Sequence, residues 1–415
     1  MKHPTKTMLK TGRGIKVAMI GVPNSGKSSL TNLLIKAKVC AVSKRVDTTT
    51  ANMTTFLTEN ITNAPTLPKC QLVVVDSPGI VGLKHAKEVI GTHSDANILA
   101  DPEKAVKHAD HILVVHDVTM GGEYLQHRIL HILHRYAHIP ASLVLNKIDL
   151  IDRHIDLLKL AEVLTMGTID GSPILKTGVS FGRMGNALIP KDNKDALSSE
   201  GVRIHPTGTQ EMDQDWHNAY SKLLQKPTHK CSWSETKKLF AQQVGWPHFK
   251  SVFFVSCRRG TGADELREYL KGLSNETTWK YSEEMNSSKN MEKNMVEHVR
   301  SEFLDNLPPY LAYYLTFDIV EFERLEGIDK PTIRFMLDVK CDKKSWTKTV
   351  LRIVSKCQLR LFVKHNGKLV TSEGKQGPDQ KNSAEKKMVR VSSLLTIREW
   401  SGCDGPAVPV TPLLV

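Results

Sequence analysis

Gly21-Val-Pro-Asn-Ser-Gly-Lys-Ser28 decides how this chain is read. The stretch fits the spacing G-x-x-x-x-G-K-[ST], and it stands where that spacing has physical meaning, between the apolar run 15–20 and a stretch of helical character. Gly21 and Gly26 let the backbone wrap a chain of phosphates. The amides of Ser25, Gly26, Lys27, Ser28 and Ser29 open a helix and supply positive potential, while the Lys27 ammonium reaches the β and γ phosphates. The Ser28 hydroxyl is the expected magnesium ligand. Alone, the motif specifies a nucleoside triphosphate and leaves the base open.

Outward from that loop, the apolar runs 15–20, 71–75, 112–115 and 142–145 alternate with helical stretches. The alternation predicts a doubly wound α/β domain with a mostly parallel sheet. A further strand at 251–255 and a helix at 263–273 are expected to complete it. Asp76-Ser-Pro-Gly79 ends the run 71–75, which puts the Asp76 carboxylate at the carboxyl edge of the sheet as the outer-shell magnesium group. Asn146-Lys147-Ile-Asp149 ends the run 142–145 on the same edge. There Asp149 can accept from the N1 proton and the exocyclic amine of guanine. Adenine lacks that donor pair, and a buried carboxylate left unpaired is costly, so the residue selects GTP over ATP. Together the motifs predict an α/β P-loop GTPase domain that binds GTP/GDP and Mg2+.

At 415 residues, with 40% hydrophobic and 24% charged residues, the chain is long enough for two domains, and its composition is that of a soluble globular protein. No apolar run approaches the roughly 18 to 20 residues that span a bilayer. The seven scattered cysteines form no Cys-x-x-Cys pair, which fits a reducing compartment. Residues 340–399 hold 15 Lys and Arg against 5 Asp and Glu, which accounts for +10 of the net +13, and such a block is expected to face a polyanion. The segment 1–14 is basic, with Lys2, Lys6, Lys10 and Arg13 and no acid, the charge bias of an organelle transit peptide. Residues 165–244, rich in Gly, Ser, Pro and Asn, read as a poorly ordered insertion. His127, His131, His134 and His138 fall at helical spacing, and a solvated histidine-rich face is expected rather than a metal site.

With these motifs in order, the chain resembles the Era family of translation-factor-related GTPases, most closely its mitochondrial members. The resemblance covers most of 15–150 and 245–306. It implies that Asp47-Thr-Thr-Thr50 is switch I, with Thr49 meeting magnesium and γ-phosphate and Thr48 as the adjacent alternative. Thr50 stands where the family usually has Arg. Ser256-Cys257 resembles the loop whose backbone NH touches the guanine O6. Gly245-Trp-Pro-His-Phe-Lys250 and Trp279-Lys-Tyr281 resemble the mitochondrial branch. Catalysis would rest on Lys27, Thr49 and Gly79. Ile80 occupies the position where Ras-like proteins carry a water-orienting Gln, so a slow intrinsic rate is implied. Asn24 resembles the P-loop Asn of potassium-stimulated members, which adds K+ to the expected ions.

The resemblance also divides the chain. The GTPase domain is expected at 15–273, a linker at 274–290, a KH-like (type II) domain at 291–364 and a basic, disordered tail at 365–415. Within the KH-like domain a helix is expected at 291–307 and strands at 313–323 and 332–340. Residues 328–366 contain no glycine, so the Ile-Gly-x-x-Gly clamp is missing there and the domain reads as incomplete. Gly374-Lys-Gln-Gly377 matches the clamp only literally. A closing strand at 357–364 would set Leu359, Leu361 and Val363 on one face and leave Lys356, Arg360 and Lys364 on the other, a basic face able to hold RNA by phosphate charge.

Implied partners are small-subunit ribosomal RNA and the pre-ribosomal particle, with assembly of the mitochondrial small subunit as the role. The implied place is the mitochondrial matrix, with peripheral association at the inner membrane, and the cytoplasm is the alternative. The rival reading is a GTP-dependent scaffold whose second domain binds protein or membrane surface.

Overall fold

A computed structural model describes residues 11–43, 49, 51–62, 66–81, 96–120, 122–174, 179–180, 183–184, 210–283, 285–288, 290–312, 314–325, 332–341, 346, 349–350, 360–365, 368–370 and 387–396. The chain forms two compact units. The first takes 1–35 and 49–288, and the second takes 36–48 and 289–415.

The first unit opens with β1 (Thr11–Ile20), α1 (Lys27–Ile35), β2 (Met53–Glu59), β3 (Cys70–Asp76), α2 (Ala96–Lys107) and β4 (His111–Asp117). It continues with α3 (His127–Arg135), β5 (Ala141–Asn146), α4 (His154–Leu164), the short pairs β6 (Thr168–Ile169) with β7 (Ser172–Pro173) and β8 (Val179–Ser180) with β9 (Arg183–Met184), then α5 (Gln210–Gln225) and α6 (Trp233–Leu239). It closes with β10 (Phe249–Val255), α7 (Ala263–Gly272) and β11 (Asn275–Thr278). The main sheet runs β2-β3-β1-β4-β5-β10-β9-β8, and its centre from β3 to β10 is parallel. Every residue of β4 and β5 is buried, the unbroken pattern of strands covered on both faces. This is the doubly wound sheet expected from the alternating runs.

Two expectations for this unit need correction. The stretch 274–290 is no free linker: β11 pairs antiparallel with β1, the Trp279 indole donates to Arg13 O at 2.8 Å, and Tyr281 stacks on Phe56 at 4.1 Å. Of the four spaced histidines, His138 is exposed beyond the end of α3, but His131 and His134 do not lie on a solvated face. His131 is fully buried, with Nδ1 at 2.8 Å from Thr228 Oγ1 and Nε2 at 3.1 Å from Leu223 O. His134 lies between Tyr220 Oη at 2.9 Å and Gln243 Oε1 at 2.8 Å, against the rings of Phe240 and Trp246. The physical reason is the insertion, whose residues 210–243 are not without order. Its helices α5 and α6 lie on α3, so this helix is covered on the sheet side and again on the outer side.

The second unit contains α8 (Met291–Asn306), the one-turn α9 (Pro309–Ala312), β12 (Thr316–Leu325), β13 (Thr332–Cys341), β14 (Arg360–His365), β15 (Lys368–Val370) and β16 (Lys387–Thr396). Its sheet is antiparallel in the order β12-β13-β16-β14-β15. Met295, Val299, Phe303 and Leu304 of α8 pack on Phe335, Leu337 and Val339 of β13. The expected helix and two strands are found. The segment expected as a disordered tail instead supplies β16, inserted between β13 and β14 and in register from Thr332↔Thr396 to Cys341↔Lys387. The segment 36–48, which follows α1, also belongs here. Ser43 Oγ donates to Asp305 Oδ1 at 2.6 Å, and the half-buried His298 is hydrogen-bonded to the backbone of Val39 and Lys38. Lys356, Gly374 and Gly377 lie outside the described residues. Arg360 and Lys364 are both on β14.

Candidate nucleotide site

Parallel strands deliver their carboxyl ends to one edge, and every expected nucleotide motif hangs there. In register, Met19 stands beside Asp76, Asp117 beside Asn146 and Asn146 beside Val255, so the loops after β1, β3, β4, β5 and β10 leave the sheet at one level. The loop 21–26 turns through Asn24 at φ 59° and Gly26 at φ 93° before α1 begins at Lys27. At Gly26 a Cβ would lie 2.1 Å from Asn146 Nδ2 on a backbone that L side chains avoid, so only glycine fits. At Gly79 a Cβ would sit 2.6 Å from the Pro23 ring, which lets the loop after β3 lie flat on the phosphate loop. The Ile80 amide then donates to Gly21 O at 3.0 Å and ties the two loops together.

The Lys27 side chain is folded over its own loop, with Nζ donating to Gly21 O at 3.2 Å and Val22 O at 2.9 Å. Beside it the three expected magnesium ligands meet. Ser28 Oγ donates to Asp76 Oδ2 at 2.6 Å and lies 3.0 Å from Thr49 Oγ1. Thr48 and Thr50 lie outside the described residues. Two hydroxyls and one carboxylate suit a hard cation that completes its shell with phosphate oxygens and water, as magnesium does. The hydroxyl of Ser25, completely buried in the loop, has no hydrogen-bond partner among the described residues. A polar loop with such an unsatisfied group suits an anion's oxygens.

The far end of the site is held by Asn146, whose Nδ2 donates to Ser25 O at 2.8 Å and whose Oδ1 accepts from Cys257 N at 3.2 Å. It joins the phosphate loop to the expected base loop. Asp149 Oδ1 accepts from Ser256 Oγ at 2.6 Å. That hydroxyl holds the Asp149 carboxyl below its ordinary range, with smaller help from the backbone and from Arg259 and Arg258, so the group is a charged acceptor at neutral pH. Ser256 Oγ in turn accepts from Arg259 N at 3.1 Å. Burial pushes the Cys257 thiol up to about 12, so it stays protonated. Lys147 takes a left-handed backbone at φ 67° and its ammonium pairs with Asp117 Oδ2 at 2.5 Å.

Two functional contributions were not read from the sequence. Asp117, at the end of β4, fixes Lys147 with one oxygen and accepts from Thr119 N and Oγ1 at 2.9 and 2.7 Å with the other. The Asp-x-Thr spacing after a buried run is the signal that could have found it. Ser256 was expected to act through its backbone, whereas its hydroxyl orients Asp149. Ile80 is buried at 5% exposure, its side chain within the apolar core. Asn24 is exposed at the lip of the loop, and Ser29 lies in the first turn of α1.

A family described as 50S ribosome-binding GTPase matches residues 16–147. A mitochondrial Era GTPase of Caenorhabditis elegans is 37% identical over 381 residues, which cover 86% of this chain and 91% of the relative. A mitochondrial Era GTPase of Danio rerio is 30% identical over 328 residues, covering 79% of this chain and 65% of the relative. Among solved structures, Era in complex with MgGDPNP and nucleotides 1506–1542 of 16S ribosomal RNA superposes with a TM-score of 0.52 at 18% identity, covering 83% of this chain and 86% of that one. That likeness is one of fold.

Proposed function

This chain belongs to the mitochondrial Era GTPase family, and from that premise we propose that it is a mitochondrial GTPase that binds small-subunit ribosomal RNA and assists assembly of the small ribosomal subunit. It is an enzyme that hydrolyses GTP to GDP and phosphate. The observation that carries the proposed site is the meeting of Ser28, Asp76 and Thr49 beneath the phosphate loop, in line with Asn146 and Asp149 along one sheet edge.

In this reading Gly21, Asn24, Ser25, Gly26, Lys27, Ser28 and Ser29 cradle the phosphates, with Lys27 as the fixed cation. Ser28, Thr49 and Asp76 hold Mg2+, which when bound neutralises charge on the β and γ phosphates. Asp149 accepts two N–H donors of guanine, Lys147 and Asn146 brace that loop, and the Cys257 amide is held at the base end by Asn146. Gly79 carries the loop after β3 against the phosphate loop. Because the Ile80 side chain is buried, orientation of the attacking water falls to backbone groups or to a partner, and the intrinsic rate is low. K+ at Asn24 is a further part of the proposal. RNA is held by the basic second unit, with Lys356, Arg360 and Lys364 contributing phosphate contacts. The mitochondrial setting is supported by the names of the relatives, and the RNA by the bound fragment in the Era structure.

Two measurements on the purified full chain test this. Titration with a fluorescent GTP analogue, with and without Mg2+, should give tight binding that weakens on chelation and in Ser28→Ala. Filter binding should show preference for a 3′-terminal small-subunit ribosomal RNA fragment over a scrambled control. Equal binding of ATP would overturn the base assignment, and no RNA binding would overturn the assembly role.

A further inference from the structure

At one edge of the inserted helices, aromatic rings stand in a row beside unpaired lysines. Tyr124 and Trp233 are large apolar side chains about half exposed, at 51% and 47%. His127 lies between them, 6.4 Å from the Tyr124 ring at 21° and 5.5 Å from the Trp233 ring at 69°. Trp233 opens α6, and Lys237 stands four residues on, one turn along the same face of the helix. Lys237 and the adjacent Lys238 are exposed, and among the described residues no carboxylate pairs with either. The acid of that helix is engaged elsewhere: Glu235 accepts from Ser232 N at 2.8 Å and pairs with Lys226 at 3.0 Å. Its carboxyl is held down at about 2, first by the Ser232 amide, so it is charged at neutral pH.

We propose that Tyr124, Trp233, Lys237 and Lys238 form a platform for unpaired RNA, with a base stacked on the Trp233 ring and neighbouring phosphates held by the two lysines. The assignment rests on the reading that this chain binds RNA, and it adds a second contact, carried by the GTPase unit. Flat rings suit the exposed faces of unpaired bases, and ammonium groups beside them suit the backbone that joins those bases. A duplex hides its base faces and offers only phosphates. A lipid or protein surface would call for a broader aliphatic patch than two rings beside lysines.

The test uses the full-length chain with GTP. Two ligands are compared by fluorescence anisotropy: a short unpaired strand from the 3′ end of small-subunit ribosomal RNA, and the same strand annealed to its complement. Trp233→Ala should weaken the unpaired strand about tenfold, leave the duplex unchanged, and recover most of the loss in Trp233→Phe. Lys237→Ser with Lys238→Ser should flatten the salt dependence on the unpaired strand by about 1.4 in log–log slope, two phosphates at roughly 0.7 each. The basal GTPase rate and the melting temperature should stay at wild-type values. Wild-type affinity of Trp233→Ala for the unpaired strand would overturn the platform while leaving the RNA reading intact. An equal loss on both ligands would overturn stacking. Failure of the wild-type chain to bind either ligand would remove the RNA reading and the platform with it.

Discussion

The two units differ in where their candidate working groups stand relative to their strands. In the first, each parallel strand ends in a motif a few residues long, and the working groups of the site sit inside those motifs. In the second, the sheet is antiparallel and its middle strand, β16, is drawn from near the end of the chain, past residues 342–386. The first unit concentrates its chemistry at strand ends. The second distributes positive charge across a sheet and its flanking text. Loss of a single motif residue should therefore silence the first unit, while loss of single charges should erode the second in small increments.

The largest effects are expected at single atoms of the nucleotide site. Lys27→Ala should abolish tight GTP binding without unfolding the chain, checked by nucleotide titration beside a thermal melt. Asp149→Asn should lower GTP affinity on the order of a hundredfold or more and favour xanthosine nucleotides, because the amide offers a donor where the carboxylate accepted two. Ser256→Ala should fall well short of that, about tenfold in GTP affinity, since Asp149 keeps its charge and loses only its orientation.

Next in size is a break confined to the second unit. Val391→Pro would remove a ladder amide from β16, between Leu337 and Leu361 in register, in the middle of a sheet where proline is not accommodated. RNA binding should fall while GTP binding persists. Retained RNA binding in a cooperatively folded variant would show that β16 is dispensable and that the contrast between the units is overdrawn.

A graded effect is expected from acid. Burial lowers the His111 pKa to about 4, and burial also lowers His116, His131 and His134. The unfolded chain takes up protons below about 6.5, whereas folded His111 resists until about 4. Stability should therefore fall as pH drops through that window, on the order of a few kcal/mol from His111. Urea unfolding at several pH values checks this, and His111→Asn should flatten the slope. The smallest effect is the charge series in the second unit. Replacing Lys356, Arg360 and Lys364 by Ser should weaken all RNAs alike and flatten the salt slope by at most about three.

What the sequence disclosed follows the same division. The placement of Gly26, Lys27, Asp76 and Asp149 along one sheet edge was legible because each stands in a short motif directly after a buried run. The Asp117–Lys147 pair was not, since it joins two loops across the sheet and each partner has an ordinary surface reading. The histidines of α3 misled because a single helix does not reveal that a second layer, α5 and α6, covers its polar side. Strand β16 was hidden by composition: Val389 and Val391 alternate, but Ser392-Ser393 breaks the pattern and the preceding text is charged.

The grouping of 36–48 with the second unit sets an order of events during synthesis. Ser43 and Asp305, which form one hydrogen bond, are 262 residues apart. At roughly 5 to 20 residues per second, the early segment waits about 13 to 52 s for its partner to leave the ribosome. During that interval Ser43 has no Asp305 to bond, so this part of the second unit cannot yet close. The second unit is thus completed only after the whole of the first has been synthesised.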